Sequence, residues 1–492
     1  MPEPKNKSQV VLTLTSGRSG TNYLAAKLKK ATRAVVLHEP APDFCDAMRS
    51  AINDLDAGRQ FVRAHKLPAI QSHWPRDYVE TSHLAAKGFV LPLLLEGIRL
   101  NAIVLRRDPI DVALSLQAIG TVPGKSDLGN RYLSLPSDIN SLPISEWESL
   151  TDLQRCMWYA LDSNQRAQEC ADLITEFGGI VRTLDFTQIP QTLSVMQIAR
   201  QLQLKLAFPV TAFSPVWGQK NRKADSRKEL DVTRQEAAAQ FDRVVQLTEH
   251  AKAMKALAAE RSARDFLKSG FGVTDVRSFI PSDDLRHICE TYAKYVLNVS
   301  TANMAASLET SLLLFALHMA QKPEVCVDLG SGFSSFVLRY AAQKHGGAVI
   351  SVDDSAEWLG RTGRFLNECG LASDNLLEFE RFRSSTKESF PLVFHDLGSF
   401  ATRIESLEFV TKLRADGGVL ILDDAHREAL RHAANYVVGG RNESIYDFRS
   451  LSSDSYGRYP WIVGDGVSAE LSSPEALDIP DAASVLAANL GS

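Results

Sequence analysis

Ser16, Gly17, Arg18, Ser19, Gly20, Thr21 and Asn22 form a run of small and polar residues around one arginine, directly after the apolar stretch VVLTLT at 10–15. Small side chains let a backbone approach a ligand, the first amides of a following helix are unpaired donors, and the helix dipole favours an anion there. The run points to a bound phosphate or sulfate group. Farther on, NAIVLRRDPIDVALS at 101–115 places Arg107 at the end of an apolar strand and Ser115 eight residues later. A guanidinium fork with a hydroxyl suits a terminal phosphate. Two nearby groups could take a proton: Glu39 in VVLHEP and His83 in DYVETSHL. The stretch VCVDLGSGFSS at 325–335 repeats the theme of strand, glycine turn and helix, with Asp328, Gly330, Ser331 and Gly332. Asp353 ends the next apolar stretch, 23 residues after Gly330, where a carboxylate can accept a pair of hydroxyls; Asp396, Asp423, Asp424 and His426 lie at the ends of the two that follow.

Two common nucleotide loops do not match. In GxxxxGK[ST] a glycine would stand at 15 and a lysine after Gly20, but those positions are Thr15 and Thr21. A dinucleotide fingerprint would place a third glycine at 335, which is Ser335.

The wording SGRSGTNYL resembles the 5'-phosphosulfate loop of sulfotransferases that use 3'-phosphoadenosine 5'-phosphosulfate (PAPS), whose basic loop residue contacts the bridging oxygen. The resemblance implies that role for Arg18, and Arg107 with Ser115 resembles the family's 3'-phosphate motif. Cytosolic members carry a catalytic histidine at a strand end a similar distance before that arginine, which implies His83, 24 residues ahead of Arg107. Protein-tyrosine and some bacterial members use a glutamate placed like Glu39, so the base is left open between the two. His65, in RAHKLP, is worded like the THLP of the cytosolic enzymes, but at 42 residues before Arg107 it reads as structural. The basic run GQKNRK at 218–223 falls where such enzymes close a late loop over the 3'-phosphate.

Residues 275–492 resemble class I methyltransferases that use S-adenosylmethionine (SAM). There the glycine turn backs onto the methionine part of SAM, and the resemblance gives Asp353 the ribose hydroxyls and Asp396 the fourth strand end. Asp396, Asp423 and Asp424 also fall where catechol-type O-methyltransferases carry magnesium ligands, and three such oxygens could hold one Mg2+ ion. His426 as a metal-free general base is the other reading.

These residues need two sheets to position them. Short apolar strands at 10–15, 34–37, 102–105 and 180–184 alternate with amphipathic helices, and a second alternation begins at Val325. The expected class is α/β: two doubly wound domains, a P-loop-like sulfotransferase fold over 1–270 and a Rossmann-like methyltransferase fold over 275–492. Their boundary is expected where SGFG at 269–272 and Pro281 interrupt a long helical stretch. Residues 120–148, rich in Pro, Gly, Ser and Asn, are too many for a connection and read as an acceptor-binding lid or a solvated insertion.

A chain of 492 residues exceeds one ordinary core, and 45% hydrophobic with 23% charged residues is globular composition. A net charge of -5 gives no footprint for nucleic acid. The six cysteines lack CxxC pairs, and no 18-residue apolar run or signal-peptide core stands out, so no membrane span and a cytoplasmic location are expected. The combined expectation is a bifunctional tailoring transferase acting in consecutive steps on a small-molecule or lipid-like acceptor. The alternatives are one inactive half serving as a binding or scaffolding module, or a nucleotide kinase in the N-terminal half.

Overall fold

The computed structural model describes residues 8–207, 232–273, 275–277, 279–439 and 443–465. The basic run at 218–223 lies outside them. Twelve strands among the described residues form two sheets.

The first sheet is parallel throughout and runs β2 (Val35–His38), β3 (Tyr78–Thr81), β1 (Val10–Leu14), β4 (Leu100–Arg106), β5 (Val181–Asp185). Every residue of β1 is buried, which an apolar run covered on both faces requires. Val10, Leu12 and Leu14 enter one hydrophobic cluster, while Val11 joins Leu24, Leu28 and Ile103 on the opposite face. The helices lie on both sides, and the chain reverses direction across the sheet beside β1. Its carboxyl end is therefore the expected ligand crevice.

The second sheet holds β6 (Val325–Leu329), β7 (Ala348–Asp353), β8 (Leu376–Glu378), β9 (Phe390–His395), β10 (Arg414–Leu422), β11 (Glu443–Asp447) and β12 (Trp461–Asp465). Their order is β11-β12-β10-β9-β6-β7-β8, with β12 antiparallel to both neighbours and the other pairs parallel. This is a doubly wound, Rossmann-like arrangement whose switch point lies between β6 and β9.

Some local expectations change. The segment after β3 forms turns before the helix that begins at Val90. Gly88 has φ +91°, and a Cβ on it would stand 2.2 Å from the Ala51 carbonyl, so this close crossing needs glycine. Residues 120–148 are not a solvated insertion. Leu133 and Leu142 are buried with Trp158, and Asp138 binds Arg49 and Asn53.

The two halves are not separately cored. One cluster joins Leu12, Phe89 and Ile174 to Val327, Leu407, Ala433 and Tyr436. Across the seam His432 Nδ1 meets Glu169 Oε2 at 2.8 Å, and Arg59 Nη1 meets Glu408 Oε2 at 2.5 Å. The helix Arg234–Phe271, opened by a Thr233/Glu236 capping box and closed at Gly272 with φ +66°, serves both halves. Ala237 and Val244 pack with Trp158, whereas Phe266 and Leu267 pack in the second half and Phe266 stacks on Tyr446 at 4.2 Å. Among the described residues, no helix is long and apolar enough to cross a membrane.

Candidate functional site

The loop after β1 gathers side chains from four strand ends. Arg18 has φ 67° and Gly20 φ 83°, so the chain makes two left-handed steps before the helix Thr21–Ala31. Arg18 Nε donates to Ser115 Oγ at 3.0 Å, and Arg107 Nη1 donates to the Arg18 carbonyl at 2.5 Å. Three residues from distant parts of the sequence therefore meet at one loop. The Arg107 guanidinium also lies over the Phe186 ring at 4.7 Å, and Phe186 fills the space that a Cβ on Gly20 would need. A cleft of about 550 Å³ opens beside this cluster, lined by Arg106, Arg107, Asp108, Asp185 and Phe186 among others.

The other predicted loop residues divide. The Ser16 and Ser19 hydroxyls are buried and lie 3.1 Å apart, so they brace the turn. Thr21 is buried in the first helical turn, and Asn22 is exposed. His65 is exposed with its ring near Phe61, away from the cluster of predicted site residues.

The two alternative bases form a pair. His83 Nδ1–H donates to Glu39 Oε1 at 2.9 Å, and Glu39 adopts φ 45° at the end of β2. A Cβ on Gly17 would stand 3.2 Å from the His83 ring, so the imidazole lies against the loop. Burial holds the His83 pKa below its ordinary value, against the opposing pull of Glu39. The ring is thus neutral at neutral pH, with Nε2 as its second nitrogen.

Sequence reasoning missed Lys87. It is buried four residues after His83, donates to Tyr159 Oη at 2.9 Å and to the Tyr132 carbonyl, and its charge helps depress His83. Tyr132, from the 120–148 segment, approaches the His83 ring, which puts that segment at the crevice. Nothing in the spacing of Lys87 marks it.

In the second sheet, the turn after β6 sits at the switch point. Gly330 has φ +107°, and a Cβ there would stand 2.3 Å from the Asp396 carbonyl. Glycine is needed for this crossing of backbones, rather than only to leave ligand space as the sequence reading had it. Asp328 is fully buried and accepts from Ser334, Ser335 and Ser351, while burial pushes its pKa up to about 6. It fixes the turn from behind. Asp353 accepts from the Ser331 amide at 2.8 Å and the Ser355 amide at 2.9 Å, so the second strand end is tied to the turn. Tyr295, unmarked in the sequence, brings its hydroxyl to 3.1 Å from where a Cβ on Gly332 would stand.

The aspartate trio does not fit a metal ion. Arg403, on the helix Phe400–Leu413, pairs with Asp396 and, at 2.8 Å, with Asp424 Oδ2. Asp423 is buried, and Thr310 Oγ1 approaches it at 3.4 Å. Among the described residues no group of three or more His, Cys, Asp or Glu side chains could hold a metal ion. Arg403 thus pairs with two of the three carboxylates that the magnesium expectation assigned to the ion. His426 Nδ1 lies 3.4 Å from Asp424 Oδ1, and burial lowers its pKa.

No family model matches the chain, and no curated protein matches it. Among solved structures, it is similar to an O-methyltransferase from Bacillus cereus in complex with SAH, at 15% identity over 42% of this chain and 98% of that one, TM-score 0.31. It is also similar to the O-methyltransferase TomG from Streptomyces achromogenes in complex with SAM, at 15% identity over 38% of this chain and 90% of that one, TM-score 0.30. A third is SAH-bound methyltransferase PaMTH1 from Podospora anserina, at 10% identity over 38% and 88%, TM-score 0.28.

Proposed function

We propose that the chain is a bifunctional transferase: the first half moves a sulfuryl group from PAPS, and the second a methyl group from SAM, to a small-molecule acceptor. The observation that carries the first assignment is the meeting of Arg18, Arg107 and Ser115 at the loop after β1, beside the His83–Glu39 pair. Two arginines and a hydroxyl suit the phosphates of the donor, and Arg18 would stabilise the leaving phosphate oxygen. PAPS supplies an activated sulfuryl group. His83 Nε2 takes the acceptor's proton as the new S–O bond forms and the bond to the bridging phosphate oxygen breaks. Glu39 holds the ring and stabilises the imidazolium, so the two candidate bases become a base and its positioning partner.

The second assignment is supported by a glycine turn at the β6/β9 switch point, tied to the carboxylate of Asp353. SAM supplies a methyl group on a sulfonium centre. Asp353 would meet the ribose hydroxyls, and His426, beside Asp424, would accept the proton released by the acceptor.

Calorimetry on the full chain tests both halves, with 3',5'-ADP and SAH as the probes. The expected result is two independent sites. Arg107→Ala should weaken 3',5'-ADP by tens of fold or more, since truncating one partner of a charge pair that the bound nucleotide would bury costs roughly 2–5 kcal/mol, and leave SAH unchanged. ATP turnover without 3',5'-ADP binding would instead make the first half a kinase.

A further inference from the structure

Asp396 follows β9 and Asp423 and Asp424 follow β10, and the Asp396 backbone crosses the turn at Gly330. Three carboxylates so close together need a counter-charge, and one is built in. Arg403 is 8% exposed, its side chain spans from Asp396 to Asp424, and its guanidinium rests on the Phe400 ring at 4.8 Å. A planar fork held by two carboxylates and an aromatic face is pre-organised, and burial strengthens its hold. Asp424 adopts φ 55°, a left-handed conformation that costs a non-glycine residue energy; there its two oxygens face Arg403 and His426.

We propose that Arg403 is the resident cation of this site. Its guanidinium takes the place of a divalent ion between Asp396 and Asp424, so methyl transfer proceeds without metal. The inference deepens the methyl-transfer reading and rests on it for the reaction, but its central claim concerns cation binding alone. The acceptor class follows. With no ion to chelate, the site has no need of two adjacent hydroxyls, and a single hydroxyl or amine that meets His426 suffices.

The test uses Mn2+ as the probe, by paramagnetic resonance and thermal melting of the full chain. Wild type should take up no stoichiometric Mn2+, and its melting temperature should not move when the ion is added. Arg403→Met should melt lower, because two carboxylates lose their partner, and Arg403→Lys should recover part of that loss. Methyl transfer should be unchanged by excess chelator. Stoichiometric Mn2+ binding by wild type that is lost in Asp424→Asn would overturn the proposal, as would methyl transfer abolished by chelator and restored by Mg2+. Failure to bind SAH would remove the methyl-transfer reading while leaving the Mn2+ result standing.

Discussion

At the scale of single residues, the His83–Glu39 pair has a measurable consequence. Glu39 raises the imidazole pKa while burial and Lys87 lower it. Glu39→Gln removes the negative charge, so the acid limb of the pH profile of the proposed sulfuryl transfer should move to lower pH as kcat falls. An unmoved limb would mean that His83 is not the titrating base. A second residue reports on stability. Burial and the neighbouring His345 lower the pKa of His318 to about 4, so the folded state keeps it neutral where the unfolded chain binds a proton. For such a base the stabilising contribution is complete above the unfolded pKa and is lost as pH falls toward the folded value. His318 should therefore cost the fold about 2 kcal/mol at pH 5 relative to pH 8. Urea unfolding of wild type and His318→Leu at both pH values should show this difference, and equal slopes would refute it.

At the scale of elements, the two glycine turns differ in what their glycines protect. Gly17 faces the His83 ring, and its φ does not require glycine, so Gly17→Ala should shift the ring slightly against Glu39 and lower the proposed sulfuryl transfer in a chain that stays folded. Gly330 faces the Asp396 backbone at φ +107°. A β-branched residue there is strained and collides with a neighbouring strand end, so Gly330→Val should lower the melting temperature of the chain rather than remove SAM binding alone. Selective loss of SAH affinity with an unchanged melting temperature would show that the turn has room to yield.

At the scale of the whole molecule, the shared core decides what can be separated. Substitutions confined to one crevice should leave the other proposed reaction intact, because the two clusters lie at the edges of different sheets. Substitutions at the seam should not. Burial alone would raise the Glu169 carboxyl, but His432, Gln165 and Arg166 hold it below its ordinary value, so it is ionised in the seam. Glu169→Ala should cost roughly 1–3 kcal/mol by leaving the buried His432 Nδ1 without its hydrogen-bond partner. Calorimetry should show one unfolding transition, moved as a whole. Two transitions, of which the substitution moves one, would restore the picture of independent domains.

The strands that carry the two turns were legible in the sequence, whereas β8, β11 and β12 were not. VVLTLT, NAIVLRR and VCVDL are continuous apolar runs that only a doubly covered parallel strand buries, and the following glycines mark where the backbone must turn sharply. The sequence also marked Arg18, Arg107, Ser115, Asp353 and the aspartate trio, because strand ends in such a sheet face a common edge. It could not say which of these side chains touch. His83 and Glu39 lie 44 positions apart and looked like rivals, and only the adjacency of β2 and β3 makes them partners. Arg403 belongs to a helix with no spacing signal, and its capture of Asp396 and Asp424 depends on where that helix packs. The common core was equally hidden. Hydrophobic periodicity tells which face of a helix is buried, but not whether the surface that buries it belongs to its own half of the chain or to the other.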